Sequence, residues 1–239
     1  MITQSLVTVG DSLLEIDHIF ICVDAEPDPR EFAQLGLICS DQVVRRVGQG
    51  TASRLVFFNN IYLELVWVED AEQAEIYAMR SGIDYLSRSQ WKVSQHCPLG
   101  IALRQRKRSN AGAELDIFGQ SSKSIDGVIR LASSNLVAQW EPFCYMIPSA
   151  IALTTLFAQS RAMQGQVTNH ALGIQRLTHA HIEIEHDGPL TPPISMLKRD
   201  GIVDLAQNRM FELILTFDDH QQGQCLSLSS LDIPVTLKY

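Results

Sequence analysis

Two side chains that can bind a metal ion or move a proton lie within apolar segments of this chain. His18 falls in residues 15–23, and Glu64 falls in residues 61–68. An ionised carboxylate on a half-buried strand is costly to desolvate unless it meets a cation, a hydrogen-bond donor or water. His18 can be that partner. The pair is therefore the first candidate for a functional site, and a satisfied structural pair is the alternative.

Both segments show the alternation of β-strands. A period of two places His18, Phe20 and Cys22 on one face of the first strand. The same parity places Tyr62 and Glu64 on one face of the second strand, with only apolar residues opposite. Each strand is therefore predicted to have one apolar face and one face that carries a side chain able to bind a metal.

A helix and two further strands separate these two strands. Asp28 can cap the helix, Pro29 suits its first position, and Gly36 can end it in a left-handed conformation. Strands at residues 43–47 and 54–58 follow, bounded by turns rich in Gly and Asn. The predicted order is β-α-β-β-β.

This order and the local sequence resemble one module of the vicinal oxygen chelate (glyoxalase/bleomycin resistance/dioxygenase) superfamily, in its glyoxalase-like branch. The family often has Asn where Ser53 stands. The stretches that carry the resemblance are Ile16-Asp17-His18, Phe32 with Leu35-Gly36-Leu37, Gly50-Thr51-Ala52-Ser53-Arg54-Leu55 and Tyr62-Leu63-Glu64-Leu65.

The resemblance implies an α+β fold in which repeated βαβββ modules form a curved mixed sheet around a cleft. We expect a paired glyoxalase-like domain at residues 12–148, with modules at about 12–68 and 97–148 and a helical connector at 70–91. Residues 170–239 are predicted to form a third, diverged βαβββ-like module.

The later segments carry weaker signals for helices and strands. Helices are predicted at 111–119, 149–164 and 193–206, the last interrupted at Gly201, and strands at 127–132, 174–185, 210–217, 224–229 and 233–239.

In this superfamily, inward-facing residues from two modules hold a metal ion that binds oxygen atoms of the substrate. The resemblance implies that His18 and Glu64 are metal ligands and that Glu64 is catalytic. A divalent Zn, Fe, Mn or Ni ion is the expected cofactor, with no cofactor as the alternative.

The second module lacks an obvious matching pair of ligands. Gly100 aligns with His18, and Phe143 and Cys144 stand where a second Glu is expected. His179 is a candidate third metal ligand, although its strand can equally present a polar face to water. We therefore expect little classical glyoxalase I activity.

Four residues are candidates for contact with a substrate. Arg54 enters a strand after a Gly-rich turn, where a guanidinium can bind a carboxylate, or it can pack on the sheet and pair with an acidic neighbour. Thr51 lies in the same turn, and Tyr62 shares a strand face with Glu64. Trp140 can line the same cleft, although an aromatic residue there is also typical of a core.

Composition limits the partners. The 239 residues carry a formal net charge of −8, which argues against binding to nucleic acid. Five cysteines without Cys-x-x-Cys spacing indicate a reducing cytoplasm, and no apolar stretch is long enough to predict a membrane span. A small-molecule ligand is the expected partner, and a homodimer is compatible with the sequence.

Two classes of function follow. The first is a metal-dependent lyase or isomerase, or an oxygenase, acting on a small oxygenated molecule. The second is a metal-independent small-molecule-binding protein of the bleomycin-resistance type. The fold alone does not choose between them, because one scaffold supports many activities.

Overall fold

The computed structural model describes residues 12–106, 122–125 and 129–239. Within these residues the chain forms two β-sheets and a set of short helices. The predicted α+β class is confirmed at this level. The helix predicted at 111–119 lies outside the described residues, as does the start of the strand predicted at 127–132.

The first sheet contains eight strands. They are β1 (Leu14–Cys22), β2 (Val44–Arg46), β3 (Thr51–Phe57), β4 (Tyr62–Val68), β5 (Leu99–Gln105), β6 (Ser122–Ile125), β7 (Ile129–Ala132) and β8 (Phe143–Met146).

The order of strands in this sheet is β2-β3-β4-β1-β5-β8-β7-β6. β1 and β5 are antiparallel neighbours at the centre, and each has a parallel partner on its outer side, β4 for β1 and β8 for β5. The remaining strands pair antiparallel out to both edges. The pairing pattern is therefore the same from the centre to either edge.

Short α-helices connect and flank the strands. In the described part of the chain they are α1 (Pro29–Gln34), α2 (Ala71–Ser81), α3 (Tyr85–Ser89), α4 (Trp91–Ser94), α5 (Ser133–Leu136), α6 (Leu153–Gln159), α7 (Arg161–Val167) and α8 (Pro192–Arg199).

Capping residues set the bounds of several helices. The side chain of Asp28 accepts a hydrogen bond from the backbone of Arg30 at the start of α1, as the sequence predicts. The connector predicted at 70–91 is not one helix. Gly82 has a φ of 85° and ends α2, and Asp84 caps α3 directly afterwards. The helix predicted at 149–164 is likewise divided, between a 3₁₀ turn, α6 and α7.

The second sheet is formed by the last third of the chain. Its order is β10-β9-β11-β13-β12, with an antiparallel central pair, β9 and β11, and an outer parallel partner for each. These strands are β9 (Leu177–Ile184), β10 (Asp204–Gln207), β11 (Glu212–Phe217), β12 (Cys225–Ser227) and β13 (Val235–Lys238).

This segment has one strand more than predicted. The helix predicted at 193–206 ends at Arg199, because Gly201 adopts a φ of 66°. Val203 and Leu205 then point into the core at alternate positions and begin a strand. The segment is therefore β-α-β-β-β-β and does not repeat the order predicted for one module.

The two sheets share an apolar core. The apolar face predicted for β1 and β4 packs here, with Ile19, Ile21, Leu63 and Leu65 all buried. The residues that meet them from the second sheet are buried aliphatic side chains, including Ile182, Leu213, Leu215 and Leu237. This face of the first sheet therefore packs against the second sheet, and the opposite face is open to a ligand.

Polar side chains join the two parts of the chain at one edge of this core. Asn60, in the turn after β3, accepts a hydrogen bond from the backbone N–H of Leu177 and donates one to its carbonyl, both at 2.9 Å. His170 accepts from the Ile38 N–H at 2.9 Å and donates to the Phe57 carbonyl at 2.8 Å. These bonds require a neutral His170 with its proton on Nε2.

No helix in the described ranges is both long and apolar enough to cross a lipid bilayer.

His170 makes stability depend on pH. Burial lowers the pKa of His170 below its ordinary value, and the bond to the Phe57 carbonyl opposes this only in part. The unfolded chain therefore binds a proton more readily, so the free energy of unfolding should fall as the pH drops below about 6.5 and level off below the folded pKa. Urea titrations across this range should show a weaker pH dependence for His170→Gln. The matched control is His179→Gln, at an exposed position, and an equal change in both variants would contradict the assignment.

Candidate functional site

A cavity of about 250 Å³ lies on the open face of the first sheet. The residues that face it come from β1, β2, β4, β7 and β8, from the segment around α2 and α3, from the turn between β2 and β3, and from the segment after β8. They are His18, Phe20, Arg46, Gln49, Tyr62, Glu64, Val66, Tyr77, Ile83, Tyr85, Ile129, Leu131, Phe143, Tyr145, Ile147 and Ile151.

His18 lies on the floor of this cavity and is held at both ring nitrogens. Its Nδ1 is 2.9 Å from Oδ1 of Asp17, and its Nε2 is 2.7 Å from the hydroxyl of Tyr145. Tyr62 stacks on the imidazole with ring centroids 4.3 Å apart. An ionised Asp17 accepts the Nδ1 proton, so in the neutral imidazole Nε2 accepts from Tyr145. The ring has little freedom to turn.

Asp17 is the anchor of this arrangement. It is fully buried, and its Oδ2 accepts hydrogen bonds from Arg104 at 2.8 Å and from the Leu153 N–H at 2.9 Å. Burial raises the pKa of Asp17, but the hydrogen bond and charge of His18 and the hydrogen bonds from Arg104 and Leu153 outweigh it and leave the pKa below its ordinary value. A register shift between Ile16 and His18 in the β1–β5 pairing accompanies the approach of these two adjacent side chains.

Glu64 has a second set of partners on β2 and β3. Its Oε1 accepts from Arg46 at 2.5 Å and from the Ser53 hydroxyl at 2.7 Å, and its Oε2 lies 3.8 Å from Nε2 of His18. Burial raises the pKa of Glu64, yet the charges of Arg46 and His18 and the hydrogen bonds bring it below its ordinary value. Glu64 is therefore an ionised carboxylate within the cavity wall.

The structure brings His18 and Glu64 together, as the sequence predicts. They lie on neighbouring parallel strands, with Phe20 paired to Glu64 and His18 paired to Tyr62. The corresponding pairs on the other side of the sheet centre are Gly100 with Phe143 and Ala102 with Tyr145.

With Gly100 aligned to His18, as the resemblance implies, these pairings align Tyr145, and not Phe143 or Cys144, with Glu64. Cys144 points into the core between the sheets. A Cβ atom at Gly100 would lie 1.9 Å from the ring of Phe20.

The predicted substrate residues fall in different places. Tyr62 faces the cavity, whereas Thr51 is buried beside it and bonds Gln49. Arg54 points away from the cavity and binds the carbonyls of Ser40 and Asp41 and the carboxylate of Glu26. Arg54 therefore packs on the sheet and pairs with an acidic neighbour, the second of the two roles considered from the sequence. Successive residues of a strand point to opposite faces, so Arg54 lies on the face opposite to Ser53.

Trp140 and His179 also lie outside the cavity wall. Trp140 is partly exposed and stacks on His186. His179 is exposed on β9 and faces a separate cleft beside Arg104. In the described part of the chain, no three His, Cys, Asp or Glu side chains are grouped as metal ligands.

Four site residues were missed in the sequence. Asp17 directly precedes His18 on a strand, and an acidic residue at this position is a sequence signal for a partner of the imidazole. Arg46 is the last residue of β2, and its side chain lies on the same side of the sheet as that of Glu64. Tyr145 carries no signal without the strand register, because aromatic residues in apolar runs are typical of a core, and Tyr85, at the start of a short helix, reaches the cavity only through tertiary packing.

Comparison with known proteins supports the fold and gives no function. No family model and no curated protein matches the chain. A crystal structure of a hypothetical protein from Staphylococcus aureus is similar over 95% of this chain and 98% of that chain, with a TM-score of 0.53 and 10% sequence identity. At this identity the likeness concerns the fold alone.

Asp17 should dominate the stability of the site. Asp17→Asn removes the charge that compensates Arg104 and His18 in a buried position, so we expect a loss of about 3–5 kcal/mol in the free energy of unfolding. Glu15→Gln is the matched control, because Glu15 binds the same guanidinium from a half-exposed position. It should cost less than about 1 kcal/mol. Because the pKa of Asp17 is lowered, its contribution is present above about pH 4 and is lost in acid. Equal losses in both variants at neutral pH would refute the anchor role.

Gly100 should tolerate no side chain while Phe20 is present. Gly100→Ala places a methyl group against the Phe20 ring and should destabilise the fold by about 1–3 kcal/mol. The same change in a Phe20→Leu background should cost clearly less, which a double-mutant cycle in urea measures. Additive effects would show that the backbone at Gly100, and not the ring, sets the cost.

Proposed function

We propose that this chain is a small-molecule-binding protein with a glyoxalase-like vicinal oxygen chelate scaffold, and that its ligand occupies the cavity beside His18 and Glu64 without a resident metal ion. The scaffold is supported by β1 to β4, which follow the order β-α-β-β-β, and by the repeat of their pairing pattern in β5 to β8.

The observation that carries the metal-independent proposal is that most of the atoms that would bind a metal ion already have hydrogen-bond partners. Both nitrogens of His18 have partners in Asp17 and Tyr145, and Oε1 of Glu64 has two. A divalent ion needs free lone pairs from three or four ligands. It would also face the guanidinium of Arg46. These residues do not fit a metal ion, so we derive no chemical step through one.

The second half of the cavity points the same way. Where a symmetric site would have an imidazole and a carboxylate, this chain has Gly100, covered by Phe20, and Tyr145, bound to His18. The phenol is a weak ligand at neutral pH, because burial raises the pKa of Tyr145 well above its ordinary value. Aromatic and aliphatic walls with a few fixed polar groups are typical of small-molecule sites.

One observation favours the alternative, a metal-dependent lyase, isomerase or oxygenase. Nε2 of His18 and Oε2 of Glu64 face the same cavity only 3.8 Å apart. Two ligands of one metal could lie this close if Tyr145 and Arg46 moved away. Metal content separates the two proposals.

The test combines metal analysis with a ligand screen. Untagged protein, grown in medium supplemented with trace metals, should contain far less than one equivalent of Zn, Fe, Mn or Ni, and Glu64→Gln should leave that content unchanged. Ligand-observed NMR with a small-molecule library should find binders that Ile151→Trp excludes, because Ile151 lies half exposed in the cavity wall.

Val93→Trp is the matched control, since Val93 is an exposed apolar residue on α4, away from the cavity. Stoichiometric metal that disappears in Glu64→Gln would establish the metal-dependent alternative. Binders that Ile151→Trp retains would place the ligand elsewhere on the chain.

A further inference from the structure

Three polar groups face the cavity with unused hydrogen-bonding capacity. They are Oε2 of Glu64 and the hydroxyls of Tyr62 and Tyr85, which have no hydrogen-bond partner among the residues that the structure describes. Among the described residues, none of the three is sealed off from solvent, so a ligand in the cavity can reach them.

Glu64 presents the acceptor. The residue is 4% exposed, and Arg46 and Ser53 both bind Oε1. Oε2 has only His18 nearby, at 3.8 Å, beyond hydrogen-bonding distance. Oε2 of this ionised carboxylate can therefore accept a hydrogen bond from a donor in the cavity.

The tyrosines present donors. Burial is the main cause that raises the pKa of Tyr62 and of Tyr85 far above the ordinary value, so both phenols stay neutral. Tyr62 lies two residues from Glu64 on the same face of β4, and its ring stacks on His18, whose Nε2 is 3.8 Å from Oε2 of Glu64. The ring of Tyr85 is 5.9 Å from that of Phe20, which pairs with Glu64 between β1 and β4. A neutral phenol can donate one hydrogen bond to an oxygen of the ligand.

The charge balance of the cavity selects an uncharged ligand. Arg46 is paired with Glu64, and Asp17 beneath His18 is paired with Arg104. An anionic ligand would have to compete with Glu64 for Arg46, and a cationic ligand would compete with Arg46 for Glu64. The walls contribute flat rings, with Phe20 and Phe143 6.3 Å apart and Tyr85 5.9 Å from Phe20.

We propose that the ligand is a neutral aromatic compound with a ring hydroxyl, a phenol, whose O–H donates to Oε2 of Glu64 and whose oxygen accepts from the hydroxyl of Tyr62 or Tyr85. One hydroxyl group satisfies both requirements, because it is at once a donor and an acceptor. The ring then lies among the aromatic walls. This inference rests on the proposed function, since it names the ligand class of the same cavity.

The probes are phenol, anisole, toluene and benzoate, with binding measured by equilibrium dialysis. Anisole keeps the acceptor but cannot donate to Glu64, toluene has neither group, and benzoate adds a negative charge. Because anisole loses one of the two hydrogen bonds and toluene loses both, we expect phenol to bind about tenfold more tightly than anisole, and toluene to bind more weakly than anisole. Benzoate should be weaker than phenol by a similar factor.

Variants assign the preference to named residues. The double variant Tyr62→Phe with Tyr85→Phe should lower the affinity for phenol and leave that for toluene nearly unchanged, while circular dichroism and the Tm show that the fold persists. Tyr239→Phe, at the end of the second sheet, is the matched control and should keep the preference for phenol.

Each other outcome is informative. Equal affinity for toluene and phenol would show that the polar groups form no hydrogen bonds that favour phenol. Tighter binding of benzoate than of phenol would show that Arg46 is available to anions. Either result overturns the phenol assignment. If none of the four probes binds but the library screen finds a cavity ligand, the ligand class is wrong and the binding function stands. If no compound binds at all, both fail.

Discussion

The desolvation of two carboxylates on one sheet governs the rest of this site. Asp17 and Glu64 lie 0% and 4% exposed, and each remains ionised because cations and hydrogen-bond donors surround it. Arg104 and the Leu153 N–H hold Asp17, which in turn sets the orientation of His18. The polar floor of the cavity is thus a connected network in which removing one charge leaves another unpaired.

The period of two in β1 and β4 separates this network from the main core. Ile19 and Ile21 pack against the second sheet, whereas His18 and Phe20 face the cavity. A slip of one residue in register would bury the imidazole in the aliphatic core and expose the isoleucines. The second sheet covers the apolar face, so the cavity face is free to carry polar groups without loss of the core.

Sequence reasoning recovered those parts of the site that depend on local pattern. The strand faces of His18 and Glu64, the cap at Asp28 and the end of α1 at Gly36 all follow from residues close in the chain. Arg46 and Tyr145 could not be found in this way, because their roles depend on pairings between strands far apart in sequence. The extra strand β10 was missed because a helical pattern before Gly201 was extended past a residue whose positive φ ends the helix.

The two halves of the first sheet share a pairing pattern but not their side chains, and this asymmetry shapes what the cavity can hold. The half around β1 and β4 supplies the cavity wall with the Arg46–Glu64 pair and the imidazole of His18, and the described residues of the half around β5 and β8 supply it with aromatic and aliphatic side chains only. Gly100 has no side chain, which makes room for Phe20. The hydroxyl of Tyr145 donates a hydrogen bond to His18. A ligand in such a cavity meets hydrogen bonds at one end and aromatic surface at the other, so its orientation is set by its own polarity. Within the described part of the chain, the same asymmetry leaves a metal ion with ligands from one half only, and of these Nε2 of His18 and Oε1 of Glu64 already have hydrogen-bond partners.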